Sequence, residues 1–221
     1  MQRLVLIAVA LAVTATAGLG AEPDPQRWEA AIAKFEAKDA VTPPAPGGVL
    51  FVGSSSIVGW KLDRWFPERG FLNRGFGGSH LSDSLYYADR IILKYQPAVI
   101  VLYAGDNDIA SGKPPERIRD DFAALAEKIA TTLPEAKLVV VGIKPSPKRW
   151  ALLEKLRAAN AYVRDLVAKH EGWCFIDLEP TMLDANGQPR QELYKSDLLH
   201  LNDEGYRLWN ELVGPHLPPA K

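Results

Sequence analysis

The sequence predicts an α/β protein built as a three-layer α/β/α sandwich. Short apolar runs alternate along the chain with longer segments whose apolar residues recur at helical spacing. Within the short runs there is no alternation with polar residues, which is typical of strands buried on both faces of a parallel sheet. The helical segments between them supply the crossovers that parallel strands require, and we expect these to be right-handed.

The elements follow from these patterns in chain order. Four apolar runs predict strands at 49–52, 98–102, 138–141 and 174–176. A weaker signal at Phe71-Leu72-Asn73 predicts a fifth strand. Apolar residues at helical spacing predict helices over 26–38, 81–93, 118–133, 152–166 and 206–213. We expect residues 22–47 to form an N-terminal helix and linker, and residues 48–217 to form a single domain.

Residues 1–21 predict a secretory signal peptide. An unbroken apolar run follows Arg3, and small residues continue from it to Ala21. The run is shorter than the roughly 20 residues that a membrane span needs. Cleavage fits either after Ala17 or at Gly20 and Ala21, and a retained N-terminal anchor is the alternative. We therefore expect an exported protein, periplasmic or secreted, with no integral membrane span once the leader is removed.

Composition excludes several classes of function. The 26 Lys and Arg residues against 27 Asp and Glu leave no basic excess that would hold a nucleic acid. The single Cys174 cannot form an internal disulfide, and its apolar neighbours predict a small core residue. The sequence contains no P-loop or complete dinucleotide fingerprint. Its 4 His and 1 Cys show no metal-ligand spacing, so we expect neither a cofactor nor a metal.

Polar and glycine-rich segments lie where a ligand site is expected. In an open parallel sheet, ligands bind beyond the carboxyl ends of the strands. Three predicted strands end in such segments, at 53–56, 73–80 and 104–108, and we expect these to face one crevice. A fourth segment, Asp197-Leu198-Leu199-His200, directly precedes the last predicted helix.

These segments contain the groups that a serine hydrolase needs. A serine nucleophile requires a base within hydrogen-bond reach and a group that orients the base. Asp197 and His200 are three residues apart, which on a helical turn places their Cβ atoms about 5–6 Å from each other. The carboxylate can then hold the imidazole Nδ1–H, which leaves Nε2 to accept a proton from one of the serines at 54–56.

An oxyanion hole can be formed from the same segments. Its donors must converge on one point. Gly78 allows a close backbone approach and an N–H donor, Asn107 offers a side-chain amide, and the nucleophile contributes its own backbone N–H. Each motif alone is also typical of a turn or a helix cap. Their order and their placement at strand ends favour catalysis.

Taken together, the segments resemble the SGNH hydrolases, also called GDSL-type esterases and lipases. That family carries a Gly-Asp-Ser block, a glycine, a Gly-x-Asn-Asp block and an Asp-x-x-His block. The matching positions are Gly53-Ser54-Ser55, Gly78, Gly105-Asp106-Asn107-Asp108 and Asp197-x-x-His200. The order and spacing agree, and the resemblance extends from residue 48 to 213. The branch most similar to this chain contains platelet-activating-factor acetylhydrolases and small bacterial acyl esterases.

The resemblance implies both a fold and a set of roles. The implied fold is flavodoxin-like, with five parallel strands in the order 2-1-3-4-5. Alignment on Gly53 makes Ser55 the nucleophile and puts Ser54 where the family has its usual Asp, which is not the acid of the triad. The implied catalytic residues are Ser55, Asp197 and His200, and the implied oxyanion hole consists of Ser55, Gly78 and Asn107. The elbow of the α/β-hydrolases, G-x-S-x-G, does not fit, because Ile57 occupies the last glycine position.

We therefore expect a metal-independent serine esterase that hydrolyses short acyl esters, acetyl above all, through an acyl-enzyme. Its substrate would be a small molecule, a glycan or a lipid, and export favours acetylated glycans. His80, beside the oxyanion segment, is a further candidate for substrate contact. The alternative is a non-catalytic glycan- or lipid-binding module on the same fold. Its candidate contacts are Trp60, Trp65, Phe66 and Trp150.

Overall fold

The computed structural model describes residues 23–219 of the chain, so the predicted signal peptide lies outside them. Its centre is a five-stranded sheet in the order β2-β1-β3-β4-β5, in which every neighbouring pair is parallel. The strands are β1 (Val49–Gly53), β2 (Leu72–Gly75), β3 (Val99–Tyr103), β4 (Lys137–Val141) and β5 (Cys174–Ile176). Both the α/β class and the strand order 2-1-3-4-5 are therefore confirmed.

Helices cover both faces of the sheet. They are α1 (Glu29–Val41), α2 (Ser55–Gly59), α3 (Leu62–Trp65), α4 (Leu81–Tyr86), α5 (Ala88–Ile91), α6 (Asp106–Ala110), α7 (Pro115–Thr132), α8 (Leu153–Val167), α9 (Glu179–Met182) and α10 (Asp203–Val213). The continuous helix predicted over 81–93 was wrong, because Tyr87 leaves helical geometry and separates α4 from α5. The helical spacing persists across the break since both short helices bury apolar residues in the same core cluster.

The sheet divides the core into two clusters because successive strand side chains point to opposite faces. In β1, Leu50 joins a cluster with residues of α1, α4, α5, α6, α7 and α8. Its neighbour Phe51 joins the opposite cluster, with residues of α2, α3, α9 and α10. All five residues of β1 are buried, as they are in β3, which accounts for the uninterrupted apolar runs in the sequence.

Three of the four candidate contact residues of the binding-module alternative pack in the core or against it. Trp60 is 1% exposed, and its ring lies 5.1 Å from that of Phe51 and 5.3 Å from that of Trp209. Trp65 and Phe66 are partly buried against the same cluster. Within residues 23–219, no helix has the length and apolar character needed to cross a membrane.

The chain leaves β1 at Gly53 through a contact that only glycine permits. Gly53 has φ +137°, and a Cβ at this position would lie 1.9 Å from the carbonyl oxygen of Tyr103 on β3. Directly after it, the Ser54 N–H donates to that same carbonyl at 3.1 Å. This close approach holds the start of α2, and with it Ser55, at the carboxyl edge of the sheet.

We expect Gly53→Ala to lower the free energy of unfolding by about 2–5 kcal/mol, because backbone strain and overlap with Tyr103 both oppose it. Gly47→Ala is the matched control. Gly47 has φ +78° with no atom within 4 Å of its Cβ position, so only strain remains, at about 1–2 kcal/mol. Urea unfolding of the two variants measures the difference. Equal losses would show that the contact with Tyr103 is not tight.

Candidate active site

The three consecutive serines have different environments. Ser54 and Ser56 are buried, at 0% and 1% exposure, whereas Ser55 between them is partly exposed. The Ser56 hydroxyl accepts a hydrogen bond from the Lys144 Nζ at 3.1 Å. Ser54 Oγ has no hydrogen-bond partner among the described residues. Ser55 is therefore the serine of this run whose hydroxyl an external molecule can reach.

A continuous chain of hydrogen bonds runs from Ser55 through His200 to Asp197. His200 Nε2 lies 3.0 Å from Ser55 Oγ, and its Nδ1 lies 2.6 Å from Asp197 Oδ2. This pairing corresponds to an imidazole that donates its Nδ1–H to the carboxylate and accepts at Nε2. Such an arrangement can take a proton from the serine and stabilise the resulting imidazolium.

The segment that carries Asp197 and His200 is not the helical turn that their spacing predicted. It is an irregular loop in which Leu198 has φ +57°. Asp197 Oδ1 accepts the backbone N–H groups of Leu199 at 3.0 Å and His200 at 2.9 Å. A short Asp side chain that bonds the backbone just ahead of it competes with helix formation. The loop nevertheless places the carboxylate and the imidazole together.

These hydrogen bonds determine the ionisation of Asp197. The hydrogen bond from the His200 side chain, followed by those from the His200 and Leu199 backbone, holds the pKa of the Asp197 carboxyl well below its ordinary value. Asp197 is thus a carboxylate throughout the neutral pH range. A carboxylate that stays negatively charged beside His200 Nδ1 can stabilise the positive charge that the imidazole gains when it accepts a proton.

The segments that carry Gly78 and Asn107 are hydrogen-bonded to each other, and the first of them passes close to Ser55. A Cβ on Gly77 would lie 3.8 Å from that of Ser55, so the backbone before Gly78 passes close to the candidate nucleophile. The Asn107 Nδ2 donates to the carbonyl of Ser79 at 3.0 Å, which links the two predicted oxyanion segments. An amide nitrogen carries two hydrogens, so the second remains for another acceptor.

The Gly78 segment is held by the N-terminal helix region. Asp83 is 1% exposed, and its Oδ2 accepts from Arg27 Nη2 at 2.7 Å, Trp28 Nε1 at 3.0 Å and the His80 backbone N–H at 2.8 Å. The Trp28 ring also lies 3.5 Å from the Cβ position of Gly78. Sequence reasoning did not find this support, which comes from a helix predicted to precede the domain.

The His80 side chain is buried and lies near a carboxylate. Its side chain is 6% exposed, and Nδ1 lies 3.9 Å from a carboxylate oxygen of Asp108. Burial raises the pKa of Asp108, while Lys113 and His80 oppose this rise. Asp108 also accepts the Leu81 backbone N–H at 3.0 Å. The expected contact between His80 and substrate remains a prediction.

A buried charge cluster that the sequence did not suggest lies beneath the candidate site. The Asp106 Oδ2 lies 3.2 Å from Lys144 Nζ and 2.8 Å from Arg149 Nη1. Burial alone would raise the pKa of Asp106, but the charges of Lys144 and Arg149 outweigh it and hold that pKa below its ordinary value. The sequence contains one indication of this cluster, which is that Lys144 and Arg149 both follow β4 and so lie at the carboxyl end of the sheet.

A cavity of about 600 Å³ lies at the opposite edge of the sheet. It is lined by Val49 and Leu50 at the start of β1 and by several prolines, whereas Ser55 follows the end of that strand. It is therefore separate from the candidate site. Among residues 23–219, no group of three or more His, Cys, Asp or Glu side chains is arranged to hold a metal ion.

Several known proteins are similar to this chain in sequence or in fold. The model of the GDSL-like lipase/acylhydrolase family matches residues 16–208. The platelet-activating factor acetylhydrolase IB subunit alpha1 of Bos taurus and that of Homo sapiens are each 27% identical over 187 residues, covering 81% of this chain and 78% of the relative.

Solved structures show the same fold at lower identity. A GDSL-like lipase from Bacteroides thetaiotaomicron superimposes with a TM-score of 0.72 at 21% identity, covering 83% of this chain and 95% of that one. A mutant of an acetyl-xylooligosaccharide esterase from Geobacillus Stearmophilus gives a TM-score of 0.60 at 13% identity, covering 80% of this chain and 96% of that one.

The low pKa of Asp197 predicts a pH-dependent contribution to stability. A carboxyl whose folded pKa lies below its unfolded value, about 3.9, stabilises the fold fully above that unfolded value and loses the effect progressively as pH falls below it towards the folded pKa. The difference in free energy of unfolding between the wild type and Asp197→Asn should therefore shrink as pH falls from about 5 to about 3. Urea unfolding at each pH measures it, and a constant difference would contradict the assignment.

Proposed function

The chain belongs to the GDSL-like lipase/acylhydrolase family and is a carboxylic ester hydrolase, and from this premise we propose that Ser55, His200 and Asp197 form its catalytic triad. We further propose that it acts on esters of short acyl groups, acetyl above all. The observation that carries the triad is the unbroken chain of hydrogen bonds from Ser55 Oγ through His200 to Asp197. It supports Ser55 over the two neighbouring serines, whose side chains are buried.

The proposed reaction proceeds in two halves. Ser55 Oγ attacks the carbonyl carbon of the ester while His200 Nε2 accepts the serine proton. The tetrahedral intermediate collapses, the bond to the alcohol breaks, and His200 returns the proton to the leaving oxygen. Water then attacks the acyl-enzyme with His200 again as base, which releases the acid and restores Ser55. Asp197 holds the imidazole in the required tautomer and stabilises its positive charge.

The proposed oxyanion hole combines the backbone N–H groups of Ser55 and Gly78 with the Asn107 amide. The hydrogen bond from Asn107 Nδ2 to the Ser79 carbonyl supports this, because it places the amide beside the Gly78 segment. Donors fixed before the reaction stabilise the developing negative charge without reorganising during it.

The preference for a short acyl group draws on the relatives and on the surroundings of Ser55. The mammalian relatives are named acetylhydrolases. The backbone at Gly77 passes close to Ser55, because a Cβ at Gly77 would lie 3.8 Å from the Ser55 Cβ, and we take this neighbour as one boundary of the acyl site. We also propose that the enzyme acts outside the cytoplasm on acetylated glycans or lipids, because residues 1–21 have the layout of a signal peptide.

Ser55→Ala is expected to abolish hydrolysis of p-nitrophenyl acetate above the uncatalysed rate, because no acyl-enzyme can form. A serine-reactive fluorophosphonate should label the wild type at Ser55 alone, as mapped by peptide mass spectrometry. Ser54→Ala and Ser56→Ala are the matched controls and should both still be labelled. An adduct on Ser54 or Ser56 would overturn the choice of nucleophile.

Asn107→Ala should lower kcat by about 10²–10³-fold, the usual effect of losing one oxyanion donor. The KM should change little, since the amide is proposed to act on the transition state more than on the bound ester. Steady-state kinetics on p-nitrophenyl acetate provide both values. Turnover near that of the wild type would exclude Asn107 from the oxyanion hole.

Across p-nitrophenyl acetate, butyrate and octanoate, kcat/KM should be highest for acetate and fall by about tenfold or more at octanoate, because steric exclusion of a few methylenes has effects of this size. Release of acetate from acetylated xylan and from acetylated peptidoglycan, with Ser55→Ala as the blank, then compares the candidate glycans. A maximum at octanoate would contradict the proposed acyl preference.

A further inference from the structure

We propose that Arg149 is a positioning residue for ester hydrolysis, which fixes the side-chain amide of Asn107 in the one orientation that can donate to an oxyanion. This inference rests on the proposed role of Asn107 in the oxyanion hole. Arg149 follows β4 in a short turn and lies on neither of the segments that form the proposed hole.

The Arg149 guanidinium contacts two consecutive residues at once. Its Nη2 donates to Asn107 Oδ1 at 2.8 Å, and its Nη1 lies 2.8 Å from Asp106 Oδ2. The Arg149 side chain is 15% exposed, so both contacts are largely shielded from water. A planar guanidinium with fixed donors can serve two acceptors whose relative positions are also fixed.

These contacts exclude the flipped form of the amide. Asn107 Oδ1 faces the guanidinium, and Nδ2 faces the Ser79 carbonyl at 3.0 Å. Exchanging the two ends of the amide would set its NH₂ against the Arg149 donors and its oxygen against the Ser79 carbonyl oxygen. Both hydrogen bonds would be lost and like poles would meet. Arg149 and Ser79 together therefore select the donating orientation.

The guanidinium is itself held from below by the buried charge cluster. Lys144 is 2% exposed, and its Nζ donates to Tyr103 Oη at 2.9 Å as well as to Ser56 Oγ and Asp106. Two cations thus share the single carboxylate of Asp106. Removing Arg149 leaves the Asp106 carboxylate paired with Lys144, so no buried carboxylate loses its last cationic partner and the variant should fold.

The test is a double-mutant comparison on p-nitrophenyl acetate. Arg149→Met keeps the apolar stem of the side chain but removes its donors. We expect it to lower kcat by about tenfold to 10²-fold, less than the loss of the Asn107 donor itself, with KM changed by less than about twofold. In the Asn107→Ala background the same substitution should change kcat by less than about threefold, because the amide that it positions is absent.

Two further variants complete the design. Lys148→Met is the matched control, since Lys148 is exposed beside Arg149, and it should leave kcat unchanged. Arg149→Lys retains a positive charge near Asp106 but lacks the fork that reaches both acceptors, so it should lower kcat nearly as much as Arg149→Met. Should Arg149→Met fail to fold in a thermal melt, Arg149→Lys provides the same comparison.

The inference is overturned if Arg149→Met lowers kcat by the same factor in both backgrounds, or if Arg149→Lys has wild-type kcat. Failure of the proposed function gives a different result. In that case Ser55→Ala retains esterase activity or Asn107→Ala turns over normally, whatever Arg149 contributes. Loss of activity in Ser55→Ala and Asn107→Ala, together with a non-additive effect of Arg149→Met, supports both proposals.

Discussion

The close approach of β1 to β3 at Gly53 is the contact on which the geometry of the site depends. Because no side chain separates Gly53 from the Tyr103 carbonyl, the Ser54 N–H can bond that carbonyl and α2 can start at once. The turn buries the first and third serines and leaves the middle one at the surface. Together with the hydrogen bonds that Lys144 and Tyr206 make to Ser56, this contact fixes the position of Ser55 relative to His200, which comes from a distant loop.

A second constraint comes from the charges beneath this turn. Asp106 and Asn107 are consecutive residues at the start of α6. Arg149 contacts the carboxylate of the first and the amide oxygen of the second, so one side chain helps to position both. Lys144 connects the same carboxylate to Ser56, which directly follows Ser55 in the chain. Burying three charged groups is costly unless they are paired, and the pairing requires the ends of β1, β3 and β4 to lie in register. The cluster therefore joins the turn that carries Ser55 and the Asn107 segment into one unit.

Much of the fold and part of the site could be predicted from local patterns. Strands buried on both faces leave uninterrupted apolar runs in the sequence. Because ligands bind beyond the carboxyl ends of parallel strands, Ser55, Gly78 and Asn107 could be predicted to lie at the same end of the sheet. The break at Tyr87 was not predictable, since the helical spacing of buried residues continues through it. The Asp197 loop was mistaken for a helical turn because spacing does not show that its carboxylate bonds the backbone ahead of it.

The charge cluster escaped prediction for a related reason. Lysine and arginine side chains are mostly solvent-exposed in proteins. Only the fold shows that Lys144 and Arg149 both contact the carboxylate of Asp106, which lies 38 positions before Lys144 in the chain. Similarly, Arg27 and Trp28 were assigned to a segment outside the domain, yet they bind Asp83 beside the Gly78 loop. Contacts of this kind join segments that are distant in sequence, where periodicity carries no information.

The hydrogen bond between Ser55 and His200 joins residues 145 positions apart, and that between Ser56 and Tyr206 spans 150. Contacts between residues so far apart in the sequence carry a loop-closure cost that local contacts do not. The turn that carries Ser55 is built from neighbouring strands, whereas His200 lies beside it only once the loop before α10 has docked. The pair proposed to act as nucleophile and base is therefore complete only in a chain whose two most distant segments have packed together.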